Sequence, residues 1–513
     1  MDLSVNKEMV TINETIFDSV VELPVESDFM LPDYCPDIVR VLKCSLLPVV
    51  TSNQSTGEKL IVDGIAVFKI IYISEDECTR NYEHKIPFSK TISIKNNLDS
   101  AVITASASAN YVNCRAVSHR RLDARGAIGI SVKAVAQHTE NIISNANGKN
   151  VELRKKKVKS SPVAGHIFRQ FTVREELELA GGRPRISHII NKKLCVQLTD
   201  CKVIANKVII KADIKVGLLY TSDADNSGMH RCDFSLPTSQ VIDIDGVDEN
   251  CKSCVTLSVQ GCEIELRPDM DDEGCAIDFE ATIGADVKAY CHRDLVAVCD
   301  LYSTKYETSF DTKPIVLENL SGIVDETYTE KNIFEMPDGD ISEIYDVWGD
   351  ATLRNCAVSQ KGMTASALLK ICMLVMGSDG KIQYYERVAD SDFSSSSDEC
   401  KGDVVSDCNI QIENCTFEIT STGEVEIECE INIQASVFTQ TRENLIVDVK
   451  VRDDDVKGNK DQPALTIYYA DVDESIWEIA KKYNTSVTEI LEQNEISEET
   501  LTSRQMLLIP VKS

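Results

Sequence analysis

The sequence predicts a mainly β protein in which three tandem β-sandwich-like repeat domains precede a small β-α-α-β domain. Two landmark segments recur at matching spacings in three successive parts of the 513-residue chain. Polar and apolar residues alternate along much of these parts, which is the period of a strand with one buried face. Near the C-terminal end the apolar residues instead recur at helical spacing.

The repeats follow from the spacing of the two landmarks. The first reads PDIVRV, PRISHI and GDISEI, starting at Pro36, Pro184 and Gly339, and the second reads VFKIIYIS, KVGLLYTS and KICMLVMG. Both landmarks are 148 residues apart between the first and second copies and 155 between the second and third. A period this long indicates tandem domains, because solenoid repeats run at roughly 20 to 50 residues.

Each copy contains segments typical of strands. They are Ala127–Gln137 in the first copy, Cys275–Tyr290 in the second and Glu424–Gln434 in the third. A turn-rich stretch precedes Cys275, which predicts a hairpin. Several such strands joined by polar turns indicate sandwich-like domains. Long edge strands would also allow self-association with other chains.

Composition shifts divide the chain into six parts. The expected parts are repeat 1 (1–151), a linker (152–162), repeat 2 (163–312), repeat 3 (313–452), a second linker (453–463) and the tail domain (464–513). The first linker is a basic, polar run, and the second lacks apolar clusters, as solvated connectors do.

The charge balance limits the class of partner. A net charge of −30 argues against nucleic acid, because phosphate binding needs clustered Lys and Arg. It favours solubility or a basic partner. The first residues lack the features of a signal peptide, and no apolar run is long enough for a transmembrane segment. An intracellular protein is therefore expected.

The sequence offers no convincing catalytic, cofactor or metal motif. Its 19 cysteines follow no repeated spacing, and an intracellular location keeps cysteines mostly reduced. Cys251-x-x-Cys254 stands alone, without the second pair that a zinc site needs, and is expected to be two ordinary strand cysteines. The seven histidines fall in different segments, and the acidic turns lack calcium-loop spacing.

The tail domain has its own pattern. A strand candidate, ALTIYYA, starts at Ala464, and apolar residues then recur at i, i+3, i+4 and i+7 from Ile476. Ser475 with Glu478, and Ser486 with Glu489, have the spacing of capping boxes at the starts of two helices. The stretch QMLLIP supplies a closing strand, so the order is β-α-α-β.

These residues resemble the LysM family, whose pattern runs Y-x-V-x-x-G-D-(S/T)-L-W-x-I-A-x-(K/R)-Y, then N-x-I and a final L-x-I-P. The matching residues are Tyr468, Ser475, Ile476, Trp477, Ile479, Ala480, Lys482, Tyr483, Asn494, Ile496, Leu507, Ile509 and Pro510. The resemblance covers the whole tail domain.

The resemblance also implies a site. LysM domains usually bind N-acetylglucosamine-containing glycans in a shallow groove between two loops. Carried over, the groove residues are Asp471, Asp473, Glu474, Ser475, Ile476, Trp477, Asn494, Glu495, Ile496 and Ser497. Here Asp473 and Glu474 replace the usual Gly-Asp pair. Because glycine permits positive φ and close approach of a ligand, this departure argues against ordinary peptidoglycan binding.

Three β repeats followed by a LysM domain resemble a family of clostridial spore-coat morphogenetic proteins. The stretch LPVESDFMLPDYCPDIVRV (Leu23–Val41) is typical of their repeats, whereas the third repeat lacks the LPDYCPDI motif. The resemblance implies a cytoplasmic protein of the mother cell, located at the forespore surface and in the spore coat. It implies docking onto a coat basement-layer ATPase of the SpoIVA type.

Three functions are compatible with these features. The first is a non-catalytic assembly scaffold whose tail domain docks onto a protein, with Trp477, Tyr468 and Tyr469 as aromatic anchors. The second is a glycan-binding wall or cortex protein that uses the groove. The third is a LysM-anchored hydrolase. The altered groove and the absence of a signal peptide favour the first function.

Overall fold

The structure is a computed structural model. It describes residues 3–98, 101–179, 182–222, 225–268, 275–334, 341–359, 361–396, 398, 402–420, 424–457, 465–497 and 499–510.

The first domain is a sandwich of two three-stranded antiparallel sheets. Its strands are β1 (Ser4–Met30), β2 (Ile38–Thr56), β3 (Lys59–Ser74), β4 (Thr79–Ser93), β5 (Ala101–Ala116) and β6 (Arg121–Asn147). They form the sheets β1-β6-β5 and β2-β3-β4. Alternate residues of the central strands point inward, so that Leu60, Phe68 and Ile130 are fully buried in one apolar core.

The other two domains repeat this arrangement strand by strand. The second contains β8 (Val163–Glu178), β9 (His188–Ile204), β10 (Lys207–Ser222), β11 (Asp225–Asp243), β12 (Cys251–Pro268) and β13 (Cys275–Cys291). The third contains β15 (Tyr306–Phe334), β16 (Ile341–Ser359), β17 (Gly362–Gly377), β18 (Ile382–Ser395), β19 (Val404–Ile419) and β20 (Val425–Val456). Their sheets are β8-β13-β12 with β9-β10-β11, and β15-β20-β19 with β16-β17-β18. The prediction of three β-sandwich-like repeats is confirmed.

Each domain has one antiparallel ribbon that is longer than its sandwich. In the first domain β1 pairs with β6 along its whole length, and in the third β15 pairs with β20. In the second domain the ribbon is interrupted at Pro162, which has no N–H to donate to a ladder. Strands β7 (Val151–Ser160) and β14 (Arg293–Ser303) pair on one side of the break, and β8 and β13 pair on the other. The three ribbons are therefore equivalent.

The segment 152–162, expected to be a linker, lies almost entirely in β7. Within it, Val158 faces the core while Arg154 to Lys157 are exposed. The ammonium of Lys155 donates to the side-chain oxygen of Asn145 at 2.9 Å, and Lys156 pairs with Glu443 at 2.5 Å. Because this strand buries so few side chains, its composition is as polar as that of a linker. This is why the sequence predicted a linker where the structure has a strand.

The connections between the domains are very short. Residues 148–150, all with positive φ, turn the chain from β6 into β7, and Thr304–Lys305 join β14 to β15. The expected division at 312/313 falls inside β15. Strand β20 runs to Val456 and so enters the expected linker 453–463, of which 458–463 lie outside the described residues. These divisions differ because each ribbon extends beyond its sandwich.

The extended ends of the three ribbons share one apolar core, here called the hub. Its buried residues are Val10, Ile142, Val158, Ala297, Ile315, Leu317 and Leu445. They come from β1, β6, β7, β14, β15 and β20, so every ribbon contributes two strands. The hub therefore joins the three domains through burial of apolar surface.

The remaining three sheets also meet. Ile71, Leu219 and Leu374, which occupy the same position in the three repeats, are buried together in a second inter-domain cluster. Contacts run from β4 to β9, from β11 to β16 and from β18 back to β2. The third domain thus returns to the first, and the repeats form a closed ring.

The polar residues of this ring differ from contact to contact. Lys43, Asn191 and Asp346 are the ladder partners of the three equivalent residues of that cluster. The Asn191 carboxamide donates to Asp346 at 3.0 Å and accepts from the buried ammonium of Lys69 at 2.6 Å, whereas Lys43 pairs with Glu386. Burial lowers the pKa of Lys69 to about 8. The contacts between neighbouring domains of the ring are therefore made by different polar and charged side chains.

The tail domain has the predicted β-α-α-β order. Its elements are β21 (Leu465–Ala470), α1 (Ile476–Tyr483), α2 (Val487–Asn494) and β22 (Gln505–Pro510). Ser486 accepts the Glu489 N–H at 3.2 Å, as the second capping box requires. Ser475 makes no side-chain cap bond, and a backbone bridge to Thr500 holds it instead. Across the described residues no helix has the length and apolarity needed to cross a membrane.

One cysteine pair differs from the expectation. Cys251 forms a disulfide with Cys291, its ladder partner in β13, while Cys254 is a buried free thiol. The expectation that Cys251 is an ordinary reduced strand cysteine is therefore wrong for this residue. Its partner lies 40 residues away, so the spacing of Cys251 and Cys254 carries no information about the pairing.

We expect Leu445→Ala to lower the free energy of unfolding by about 2–5 kcal/mol, because it opens a cavity in the hub. Urea denaturation measures the change. The control is Leu47→Ala, at a side chain that is 44% exposed, which should cost less than about 0.5 kcal/mol. Equal costs at both sites would contradict the role of the hub.

We expect the stability of the wild type relative to a Lys69→Met variant to rise between about pH 8 and pH 10.5. The folded-state pKa of Lys69 is depressed, so between these pH values the unfolded chain carries a proton on Lys69 that the folded chain lacks. Raising the pH disfavours the protonated unfolded chain, and the free energy of unfolding therefore increases. Urea midpoints of both proteins across this range provide the measurement. A constant difference between them would show that Lys69 titrates normally in the folded protein.

We expect Ile479→Asp to unfold the tail domain, because it places an unpaired charge in a very small core where Ile479 is buried. Amide hydrogen exchange across 465–510 reports the loss. Ile467→Asp is the matched control, since Ile467 is 57% exposed on the outer face of the sheet. Retained protection in the Ile479 variant would refute this core assignment.

Candidate functional site

Two loops of the tail domain form the candidate groove. The first loop, 471–475, joins β21 to α1, and the second, 494–497, begins at the last residue of α2. The Asp473 N–H donates to the Leu501 carbonyl at 2.8 Å, and the Ile476 N–H donates to the Glu499 carbonyl at 2.8 Å. The chain beyond the second loop therefore fixes the first loop in place.

Asp473 occupies the backbone position where the LysM pattern has glycine. Its φ is 65°, in the left-handed region that glycine adopts most easily. Aspartate tolerates this region better than most residues do, because its short polar side chain can bond locally. The loop therefore has at Asp473 a conformation that glycine adopts easily, and it carries an exposed carboxylate at this position.

Glu474 is engaged within the first loop. Its carboxylate accepts the Tyr468 hydroxyl and, at 3.1 Å, the Asp471 N–H. The hydrogen bond to this carboxylate raises the pKa of Tyr468 to about 12. Glu474 thus stabilises the loop, and its lone pairs are already partly used.

The other charges of the groove are exposed. Asp471 forms an ion pair with Arg504 at 2.7 Å, and both side chains are mostly exposed, so the pair adds little stability. Asp473 and Glu495 are exposed beside it. The groove is consequently acidic, a property that favours basic over acidic ligands.

The second loop begins with a structural asparagine. The Asn494 carboxamide donates to the carbonyls of Ile490 and Leu508, both at 2.8 Å, and accepts the Leu508 N–H at 2.7 Å. These bonds join the end of α2 to β22. Glu495, with φ of 53°, ends the helix, while Ile496 packs against the tail core and Ser497 is exposed.

Two of the ten predicted site residues lie away from the groove. Ile476 is completely buried in the core of the tail domain, and Trp477 is only 4% exposed. Trp477 packs against β14, which with β7 forms the ribbon here called the hub ribbon. Its indole N–H donates to Asp300 at 2.7 Å, and its ring meets Tyr302 edge-on at 5.0 Å. The first loop contains Asp471, Asp473, Glu474 and Ser475, the second contains Asn494, Glu495, Ile496 and Ser497, and the buried pair lies outside both loops, in α1.

Sequence reasoning did not identify Asp300, Tyr302 or Lys481 as neighbours of Trp477. Asp300 is 177 residues distant in sequence, and nothing in the local pattern around it points to the tail domain. Only the folded ribbon brings β14 to α1.

Among the described residues, one group has the composition of a metal site, Asp248 with Cys251 and Cys291. It lies in the second repeat, and its two sulfurs are joined to each other. A cavity of about 70 Å³ between the three repeats is lined in part by Lys133, Lys288 and Asp407. Lys288 pairs with Asp407 at 2.9 Å, so this space holds a satisfied ion pair.

Comparison with known families gives three matches along the chain. The model described as SipL, SPOCS domain matches residues 37–117 and 185–267, and the LysM domain model matches residues 473–510. No curated protein and no solved structure matches the chain.

The two SPOCS matches cover β2 to β5 of the first domain and the equivalent β9 to β12 of the second. The third domain has the same strand order in both sheets as these two domains. The LysM match coincides with the two helices and the closing strand of the tail domain. The chain therefore contains two segments similar to the SPOCS domain of SipL and a LysM domain near its C-terminal end.

Proposed function

We propose that this protein is a non-catalytic scaffold for spore-coat morphogenesis and encasement. In this proposal it works in the mother-cell cytoplasm and docks through its tail domain onto a SpoIVA-like ATPase at the forespore surface. The SPOCS and LysM matches make it a sporulation protein with a LysM module, and the ATPase and the location are the steps that the proposal adds.

The acidic groove is the observation that carries the docking proposal. The position of the family glycine holds Asp473, and Glu474 is bonded within its own loop, so the usual glycan-facing backbone is less accessible. Exposed carboxylates at Asp473 and Glu495 suit a basic protein surface, because complementary charge steers association. The closed ring supports the scaffold role, since it gives the tail domain a rigid base.

Glycan binding is the second candidate, because LysM domains commonly bind peptidoglycan. Asp473 has the left-handed backbone that glycine adopts most easily, which supports this candidate because the family pattern has glycine at this position. This candidate would make the protein a wall or cortex component. Self-association through strand edges also stays a prediction, and the ring contacts from β4, β11 and β18 reduce the edges available for it.

We expect full-length protein to capture purified SpoIVA-like ATPase and a chain ending at Gln462 to lose this capture. Pull-down with the ATPase and, in parallel, with peptidoglycan fragments distinguishes the two candidates. Far-UV circular dichroism checks that the truncated chain keeps its β structure. Capture of the ATPase by the truncated chain would refute docking through the tail domain.

The parallel glycan arm has its own control. Asp473→Gly restores the family glycine and removes one carboxylate, so it should bind peptidoglycan fragments better than the wild type if the groove is altered as proposed. Strong glycan retention by the wild type, without ATPase capture, would instead favour the wall or cortex function.

A further inference from the structure

Helix α1 of the tail domain is covered by β14 of the second repeat. Both carboxylate oxygens of Asp300 are used: one accepts the Trp477 indole N–H at 2.7 Å, and the Lys481 ammonium lies 2.8 and 2.9 Å from the two oxygens. Trp477 and Lys481 are one helical turn apart, so a single carboxylate binds one face of α1.

Tyr302 extends the same contact. It lies two residues beyond Asp300 and points to the same side of β14. Its side chain is 1% exposed and belongs to the apolar core of the tail domain, although it comes from the second repeat. Its hydroxyl donates to the Thr485 carbonyl at 2.7 Å, at the turn between α1 and α2.

A further bridge lies beside the helix. The Lys457 ammonium donates to the Ser303 carbonyl at 3.0 Å and to the Asn484 side-chain oxygen at 2.9 Å. It thereby joins the end of β14 to the end of α1. The contact between tail domain and hub ribbon is thus made by packed and hydrogen-bonded side chains.

We propose that Asp300 and Tyr302 form a latch that holds the tail domain against the hub ribbon and covers Trp477. Opening of the latch exposes the α1 face and adds it to the groove as a second part of the docking surface, so that docking of the tail domain is regulated by the ribbon. The second step rests on the proposed docking function, whereas the latch itself does not.

The latch also defines the chemistry of the surface that replaces it. The exposed α1 face presents an indole N–H, an aromatic ring and an ammonium group. A docking surface that takes the place of β14 therefore has to offer a carboxylate next to an aromatic side chain. Without that carboxylate, the desolvation of Lys481 is not compensated.

Trp477 is a direct probe of the latch because the chain has only two tryptophans. In a Trp348→Phe background, Trp477 supplies all tryptophan fluorescence. We expect Asp300→Ala and Lys481→Ala, placed on the two sides of the contact, each to shift the emission to longer wavelength. Acrylamide quenching should increase several-fold.

Asp294→Ala is the matched control. Asp294 lies on the same strand, is exposed and pairs with His292, so its loss should leave the Trp477 spectrum unchanged. Hydrogen exchange across 465–510 shows whether the tail domain stays folded in each variant. Lys481→Ala keeps a strong helix former in α1 and so preserves the test if Asp300→Ala is poorly folded.

The two steps fail separately. Unchanged Trp477 emission and quenching in both folded latch variants would overturn the latch. Open Asp300→Ala protein, which keeps every side chain of the α1 face, would overturn the regulation of docking if it captured the ATPase no better than the Asp294→Ala control. Absence of capture by the wild type and every variant would be a failure of the proposed docking function, and the fluorescence would still decide whether the latch exists.

Discussion

The packing of the three ribbon ends in the hub is the constraint on which the other features depend. Leu445, Ala297 and Ile142 come from three domains, yet they share one apolar core. Because the hub fixes the ribbons against one another, the remaining sheets meet and the ring closes. Strand β14 is part of the same ribbon system, so the hub also sets the place of Asp300 and Tyr302, against which the tail domain packs. The position of the candidate groove is therefore determined by apolar contacts far from it.

Local periodicity is sufficient for much of this fold. The alternation in segments such as Glu424–Gln434 predicts strands, and the two landmarks predict equivalent domains, because both signals depend only on which face of a short element is buried. The ring is invisible to that reasoning. Ile71, Leu219 and Leu374 are apolar strand residues, and their periodicity is the same whether they face their own sandwich or a neighbouring domain. Strand β7 is the opposite case, because its Lys-rich sequence predicts a linker. It is a strand nevertheless, since a strand of a two-stranded ribbon needs few buried residues.

The candidate site likewise has a part that the sequence predicts and a part that it does not. The family pattern predicts the two loops, and the residues that hold them, such as Asn494 and Leu501, all belong to the tail domain. The burial of Trp477 does not follow from it, because its neighbours belong to another domain. A binding site on a small module is thus only partly a property of that module. The surface that the module offers to ligands also depends on the domain against which it rests.

Closure of the ring has an evolutionary consequence. An open array of repeats can gain or lose units by duplication or deletion, because its end faces accept another copy. A ring closed by three units has no such face, so the copy number is fixed once the ring has formed. The units have also become specialised, since equivalent positions now hold Lys43, Asn191 and Asp346. Exchanging two units would bring together side chains that never meet in the native order. Divergence of the third repeat is then the expected result of selection on unlike neighbours.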